Sequence, residues 1–294
     1  ADDKGILQLY RMKEDGSESI QLTFSKHGCR MPSVSPDGEK LAYVEQVDHS
    51  LAIRVSGLDG LNIKTLTDGG MNLIPSWFPD SDQLVFMKVN PKPKQDPARN
   101  AKIYFINLVT GKTKRLFTDK EQLKYSNAMP VISPKGEQIA FISDRSGEMR
   151  VWVSALDGSG AKQLSKPEKN FHDEIKAPFE QKVPAWSPNG KWIAHWEGVE
   201  MIHMSRFTGI PNPKRDQLIA STFSVWVVGE DGIGRRKIGR GDDPTWSPDG
   251  FVTRAFPDSS RGGPVVMART SNGEKMLPIV PVSYTHLTLP TIAE

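Results

Sequence analysis

An all-β fold assembled from four-stranded repeats is what this 294-residue chain predicts, and three observations predict it. A frame of the form Pro-x-x-x-Pro, followed by Asp-Gly or a relative of it, recurs five times. A short apolar run rich in β-branched and aromatic residues follows the frames, and helical periodicity is absent. Recurrence every roughly 40–60 residues marks a repeat architecture. Apolar runs of this kind, bounded by Pro and Gly, read as strands.

The frames are Pro32-Ser33-Val34-Ser35-Pro36-Asp37-Gly38, Pro75-Ser76-Trp77-Phe78-Pro79-Asp80, Pro130-Val131-Ile132-Ser133-Pro134-Lys135-Gly136, Pro184-Ala185-Trp186-Ser187-Pro188-Asn189-Gly190 and Pro244-Thr245-Trp246-Ser247-Pro248-Asp249-Gly250. Each supplies an innermost strand and the tight turn after it, because Gly tolerates positive φ and Asp bonds its own backbone. Second strands follow at Leu41–Val44, Leu84–Met87, Ile139–Ile142 and Ile193–Trp196. Third strands read at Ala52–Val55, Ile103–Ile106, Val151–Val153 and Val225–Val228, and each runs into a second turn such as Leu58-Asp59-Gly60. A polar fourth strand, as in Lys64–Thr67 and Ala161–Leu164, closes the unit. Four strands per repeat with fixed turn chemistry make a propeller blade.

Ahead of the first frame lie Ile6–Met12, a Glu14-Asp15-Gly16-Ser17 turn and Ile20–Thr23, which read as the two outer strands of a further blade. The expected architecture is therefore a six-bladed β-propeller: five complete four-stranded blades plus a half blade, in one domain over residues 1–281, with the closing hairpin missing. Residues 282–294 match no part of the repeat. Val282-Ser283-Tyr284-Thr285-His286-Leu287-Thr288-Leu289-Pro290-Thr291 resembles the translation of a transposase-based sequencing adapter, so that stretch reads as a non-native tail. A ring lacking its last hairpin leaves an unpaired edge, and the expectation is a monomer liable to edge-to-edge association at that seam.

The unit Pro-x-Trp-Ser-Pro-Asp-Gly, followed by an Ile-Ala-Phe strand and later by Asp-Gly-Ser-Gly and Gln-Leu, resembles the WD40-like repeat of the TolB-type propellers over about residues 5–281. The resemblance implies a six-bladed propeller of a kind commonly periplasmic or secreted. It transfers a fold and not a role.

Composition bounds the function. Nearly balanced charge, net +3, gives no field that would imply nucleic acid. No run approaches the roughly 18 apolar residues of a membrane span. Cys29 is the sole cysteine, which excludes an internal disulfide. Neither Gly-x-Ser-x-Gly nor Gly-x-Gly-x-x-Gly occurs.

Loops carry function on a rigid scaffold, and four insertions interrupt the repeat: Asn90–Arg99, Asp119–Ser126, Lys166–Lys182 and Glu197–Ser221. The last two flank one blade. They are expected to approach one another, and with the strand between them they hold His172, Asp173, Glu174, His195, Glu197, Glu200 and His203; His195 breaks the aromatic column of Tyr43, Phe86 and Phe141. Imidazoles and carboxylates converging from two loops are what acid–base chemistry or a metal needs. His195, His203, Glu197 and Glu200 are the catalytic candidates; His172, Asp173, Trp196 and Arg206 are candidates for substrate contact. His172, His195 and His203, with Asp242 and Asp243 on a blade-to-blade loop, are candidate ligands for a divalent metal, calcium or a transition metal. Arg235, Arg236, Lys237 and Arg240 read as a solvated outer face. Three functions compete: a scaffold binding protein or polysaccharide over its loop face, a polysaccharide lyase or glycosidase, and the propeller of a prolyl-oligopeptidase-like peptidase.

Overall fold

The structure, a computed structural model, describes residues 5–13, 17–90, 100–167, 171–172, 177–199, 222–246, 250, 252–255, 266–268 and 277–278. Regular structure among them is almost wholly β-strand, with a 3-10 turn at Gln122–Lys124. Two compact units contain these residues: one runs to Glu137 and takes in Leu156–Gly158, the other covers Gln138–Ala155 and continues from Ser159.

In the first unit, Tyr10–Arg11 (β1) and Ile20–Gln21 (β2) pair antiparallel as the expected half blade. A backbone bond ties this half blade to the first full one, since the Cys29 amide donates to the Leu7 carbonyl at 2.8 Å. Leu9, Leu22, Cys29, Leu41 and Tyr43 share one core cluster. The first full blade is Cys29–Val34 (β3), Lys40–Val47 (β4), Ser50–Gly57 (β5) and Lys64–Thr65 (β6), antiparallel in order. The second is Met71–Trp77 (β7), Gln83–Val89 (β8), Ala101–Asn107 (β9) and Thr113–Arg115 (β10). One parallel pair, Leu51 with Met71, links the two blades. Asn127–Ile132 (β11) carries the third frame.

The second unit holds Gln138–Ser143 (β12), Arg150–Ala155 (β13) and Lys162–Gln163 (β14). The hairpin of Phe171–His172 (β15) with Ala177–Pro178 (β16) follows. Two four-stranded blades come next: Glu180–Trp186 (β17), Trp192–Gly198 (β18), Ser224–Gly229 (β19) and Arg236–Arg240 (β20), then Asp242–Trp246 (β21), Val252–Ala255 (β22), Val266–Ala268 (β23) and Leu277–Pro278 (β24). Residues 282–294 lie outside the described residues.

The inner strands begin two to four residues before the frame's first proline, further than the frame alone indicates. What joins the two parts is a β-bulge. The residue before that proline has left-handed φ in all five copies: Met31 (54°), Ile74 (54°), Met129 (50°), Val183 (50°) and Asp243 (42°). Register shifts fall at the same place in β3, β7, β17 and β21. A β-branched residue at positive φ is a genuine outlier, so Ile74 and Val183 hold strain that the surrounding blade imposes. Proline suits the next position because a bulge leaves a group out of the ladder and proline has no N–H to lose.

The second half of the frame is a self-satisfied turn. Ser35 Oγ donates to Asp37 Oδ1, which also accepts the Glu39 amide at 3.0 Å, while the Lys40 amide donates to Ser35 Oγ at 2.8 Å. Ser187, Asn189, Lys191 and Trp192 repeat the pattern at 2.8, 3.0 and 2.9 Å. Slight burial of the Asp37 carboxyl acts upward on its pKa, but hydrogen bonds from Ser35, the Glu39 amide and Lys40 outweigh it and hold the group down to about 2.

The frame tryptophans staple neighbouring blades. Trp77 Nε1 donates to the Ser33 carbonyl at 2.8 Å, and Trp246 Nε1 donates to the Ala185 carbonyl at 2.9 Å. In both cases the third frame residue reaches the second residue of the preceding frame. That geometry explains why Trp recurs there.

Candidate functional site

Antiparallel order places all four insertions at one end of their blades, opposite the Ser-Pro-Asp-Gly turns. In the first unit they leave between β8 and β9 and between β10 and β11; in the second, between β14 and β17 and between β18 and β19. The second-unit blade also carries a buried polar cluster at that end, built on β17 and β18.

Cross-strand register sets the cluster. Glu180 faces Gly198, Gln181 faces Glu197 and Lys182 faces Trp196 in β17–β18, while His195 faces Trp226 and Glu197 faces Ser224 in β18–β19. Glu180, Gln181 and Lys182, expected in an insertion, are thus the start of the inner strand. Glu197 is buried, and its Oε2 accepts from Arg235 Nη2 at 2.7 Å and from Gln181 Nε2 at 3.2 Å. Gln181 is fully enclosed: its amide donates to the Met149 carbonyl at 3.0 Å, its Nε2 to Ser165 Oγ at 3.0 Å, and its Oε1 accepts the Val151 amide at 3.3 Å. Lys182 and Glu180 pair at 3.3 Å in similar burial. Arg150 Nη1 donates to the Phe179 carbonyl at 2.7 Å and to the Met149 carbonyl at 3.0 Å.

The Arg235 guanidinium lies 3.6 Å from the Trp226 ring centroid, and its side chain is 21% exposed. This corrects the expectation of a solvated outer face at that residue. A planar cation stacked on an indole and paired to a buried carboxylate is held, not solvated. Arg235 follows the Gly232-to-Gly234 turn, and nothing in the sequence pattern shows its side chain folding back over β19.

His195 is 0% exposed and takes the same place on its strand as Tyr43, Phe86 and Phe141, whose cross-strand partners are Arg54, Tyr104 and Trp152. Neither ring nitrogen has a hydrogen-bond partner among the described residues. Burial, with the Arg235 charge adding to it, pushes its pKa down to about 3, so the ring is neutral in ordinary buffers.

The other candidates are scattered. Trp196 is buried and packs against Phe223, with centroids 4.9 Å apart and the rings tilted by 43°. His172 is half-buried and stacks on Phe179 at 6.0 Å, next to the start of β17. Asp243 is exposed and is the bulge residue of its frame, while the Asp242 backbone pairs with Ala255. Asp173, Glu200, His203 and Arg206 lie outside the described residues. Among the described residues no three His, Cys, Asp or Glu side chains come together in a way that could hold a metal ion. The cluster's chemistry is that of compensated charge around one neutral imidazole.

No family model matches the chain. It is 26% identical over 156 residues to a TolB homologue of Chlorobium luteolum, covering 53% of this chain and 33% of that one. TolB of Acinetobacter baumannii superposes with a TM-score of 0.66 at 21% identity, over 90% of this chain and 57% of that structure. The chain has the β-propeller fold of the TolB structures. An oligogalacturonate lyase solved in complex with manganese shares the fold at 13% identity, with a TM-score of 0.63 over 96% of this chain and 73% of that one. The matches span about a third of the length of the curated relatives. No helix among the described residues is long and apolar enough to cross a membrane.

Proposed function

We propose that this TolB-like chain is a periplasmic or secreted binding propeller that captures a protein or glycan ligand over its insertion-bearing end, without chemistry. One observation carries the reading: the four insertions leave from the same end of their blades, whereas the opposite end is closed by short turns that satisfy their own hydrogen bonds. Rigid strand ends that carry long connections, within each unit, are the arrangement that loop-mediated recognition uses. The cluster of Glu197, Arg235 and Gln181 anchors that end, because the buried Glu197 carboxylate is held by Arg235 and Gln181 instead of by solvent. A non-catalytic role is favoured because His195 and Glu197 are enclosed and Glu197 is already paired. The likeness to TolB homologues supports the compartment.

The test is a glycan array together with affinity capture and identification from a periplasmic extract, run on the parent and on a variant with residues 91–98 replaced by a Gly-Ser linker. The expected result is saturable binding of one ligand, lost in the variant at unchanged thermal stability. Release of unsaturated product from an oligogalacturonide would overturn the non-catalytic reading, and binding unaffected by the replacement would overturn its location.

A further inference from the structure

Two residues depart from the frame and meet in one place. The fourth frame position is Ser35, Ser133, Ser187 and Ser247 but Phe78 in the second copy; the sixth is Asp37, Asp80, Asn189 and Asp249 but Lys135 in the third. Both exceptions line a cleft of about 460 Å³ in the first unit, at the turn end of the blades, away from the insertions. That volume lies in the range of roughly 300–1,000 Å³ that ligand clefts occupy.

The departures forgo local bonds. In the first and fourth frames the acid or amide accepts a turn amide, and the serine hydroxyl accepts another. Lys135 cannot accept, and the Glu137 amide is left to Ser133 Oγ at 3.3 Å. Phe78 has no hydroxyl to offer and instead meets Phe105 edge-on at 5.7 Å. Lys112 and Lys114, both exposed, bring two more ammonium groups to the same cleft. Among the described residues none of the three lysine ammonium groups has an ion-pair or hydrogen-bond partner. An apolar floor under three unpaired cations fits an anion with apolar parts.

We propose that this cleft is a second binding site, for an acidic peptide segment of a partner protein carrying at least one aromatic or large apolar side chain. Asp80 decides for a peptide over a polyanion: its carboxylate is fixed at the cleft by the Asp82 amide at 3.0 Å and by Gln83 Nε2 at 2.8 Å. A carboxylate beside the lysines repels a dense run of phosphate or sulfate groups, while the more widely spaced carboxylates of a peptide can reach the lysines without meeting it. Lysines act as point charges and not as the planar fork that arginine offers phosphate. Recognition here is that of scattered side-chain carboxylates.

The experiment is a fluorescence-anisotropy titration with a labelled hexapeptide of alternating Glu and Phe, its Gln counterpart and a heparin hexasaccharide. The expected result is saturable, salt-sensitive binding of the Glu–Phe peptide and weak binding of the other two. Lys112→Ala and Lys114→Ala each weaken it about threefold, as exposed charge pairs do. Lys135→Asp restores the residue type of the other frames, so it keeps the fold while reversing the charge, and weakens binding about tenfold. Heparin binding as tight as the peptide, equal binding of the Gln peptide, or no loss in folded Lys135→Asp would each overturn the proposal. Replacing residues 91–98 leaves this site intact, so its failure and that of the insertion-face reading are separable.

Discussion

Replacing His195 by phenylalanine restores the aromatic type that three other blades hold at this place, and the structure sets the size of the effect. The imidazole is fully buried with its pKa pushed down to about 3, whereas an unfolded-chain histidine titrates near 6.5. A base with a lowered folded value leaves stability intact above about pH 6.5, then loses it as pH falls towards about 3, because only the unfolded chain takes up the proton. The loss is about 1.4 kcal/mol per pH unit, hence about 2 kcal/mol at pH 5. Any folded value below about 4 gives the same result at pH 5. His195→Phe removes this dependence. Packing changes and the loss of two unsatisfied nitrogens, themselves worth about 1–3 kcal/mol, shift both pH values equally. Urea unfolding at pH 7 and pH 5 is the assay. The stability gap between variant and parent grows by about 2 kcal/mol on acidification. A gap that stays constant within about 0.5 kcal/mol would refute the burial argument.

Three further outcomes rest on the same geometry. Trp77→Phe removes the indole bond to the Ser33 carbonyl and costs about 1–2 kcal/mol in urea unfolding. Glu197→Ala leaves the Arg235 cation uncompensated and costs about 2–4 kcal/mol, while Arg235→Met in the same background recovers at least about 1 kcal/mol, as a double-mutant cycle measures. Asp37 contributes stability that is present above its unfolded value of 3.8 and is lost as pH falls towards about 2. Asp37→Asn therefore flattens the acid limb of the unfolding profile between pH 4 and pH 2.

The blades were legible because their signals are local: a Gly at positive φ after Asp, an alternating run between two turns, a proline where the ladder loses nothing. Even the half blade before the first frame is where Ile6–Thr23 place it. What the frame hides is its own purpose. Its proline marks a bulge whose strained residue is the one before it, and that residue varies among Met, Ile, Val and Asp, so no pattern announces it. The frame tryptophan reads as core, yet its ring nitrogen bonds the neighbouring blade across 44 residues at Trp77 and 61 at Trp246.

The polar cluster was half legible. His195 stood out by breaking an aromatic column, and Glu197 by its nearness to an insertion. Gln181 and Arg235 did not, because their roles depend on register and on a side chain folding back over a strand. The sequence reads Arg235-Arg236-Lys237 as a solvated run; the residue that departs from it is distinguished by the buried Glu197 carboxylate that it pairs with at 2.7 Å, and no sequence pattern shows that pairing.

Photo-crosslinking from the two ends of the blades tests the central claim most directly. A benzophenone amino acid is placed at exposed Glu121, in the second insertion, or at Ile233, 71% exposed on an outer turn, and each protein is irradiated in a periplasmic extract. A binding propeller that uses its insertion-bearing end gives one discrete adduct from Glu121 and none from Ile233. The same adduct from Ile233, or none from Glu121 while the protein is folded and saturated with its ligand, would contradict the account.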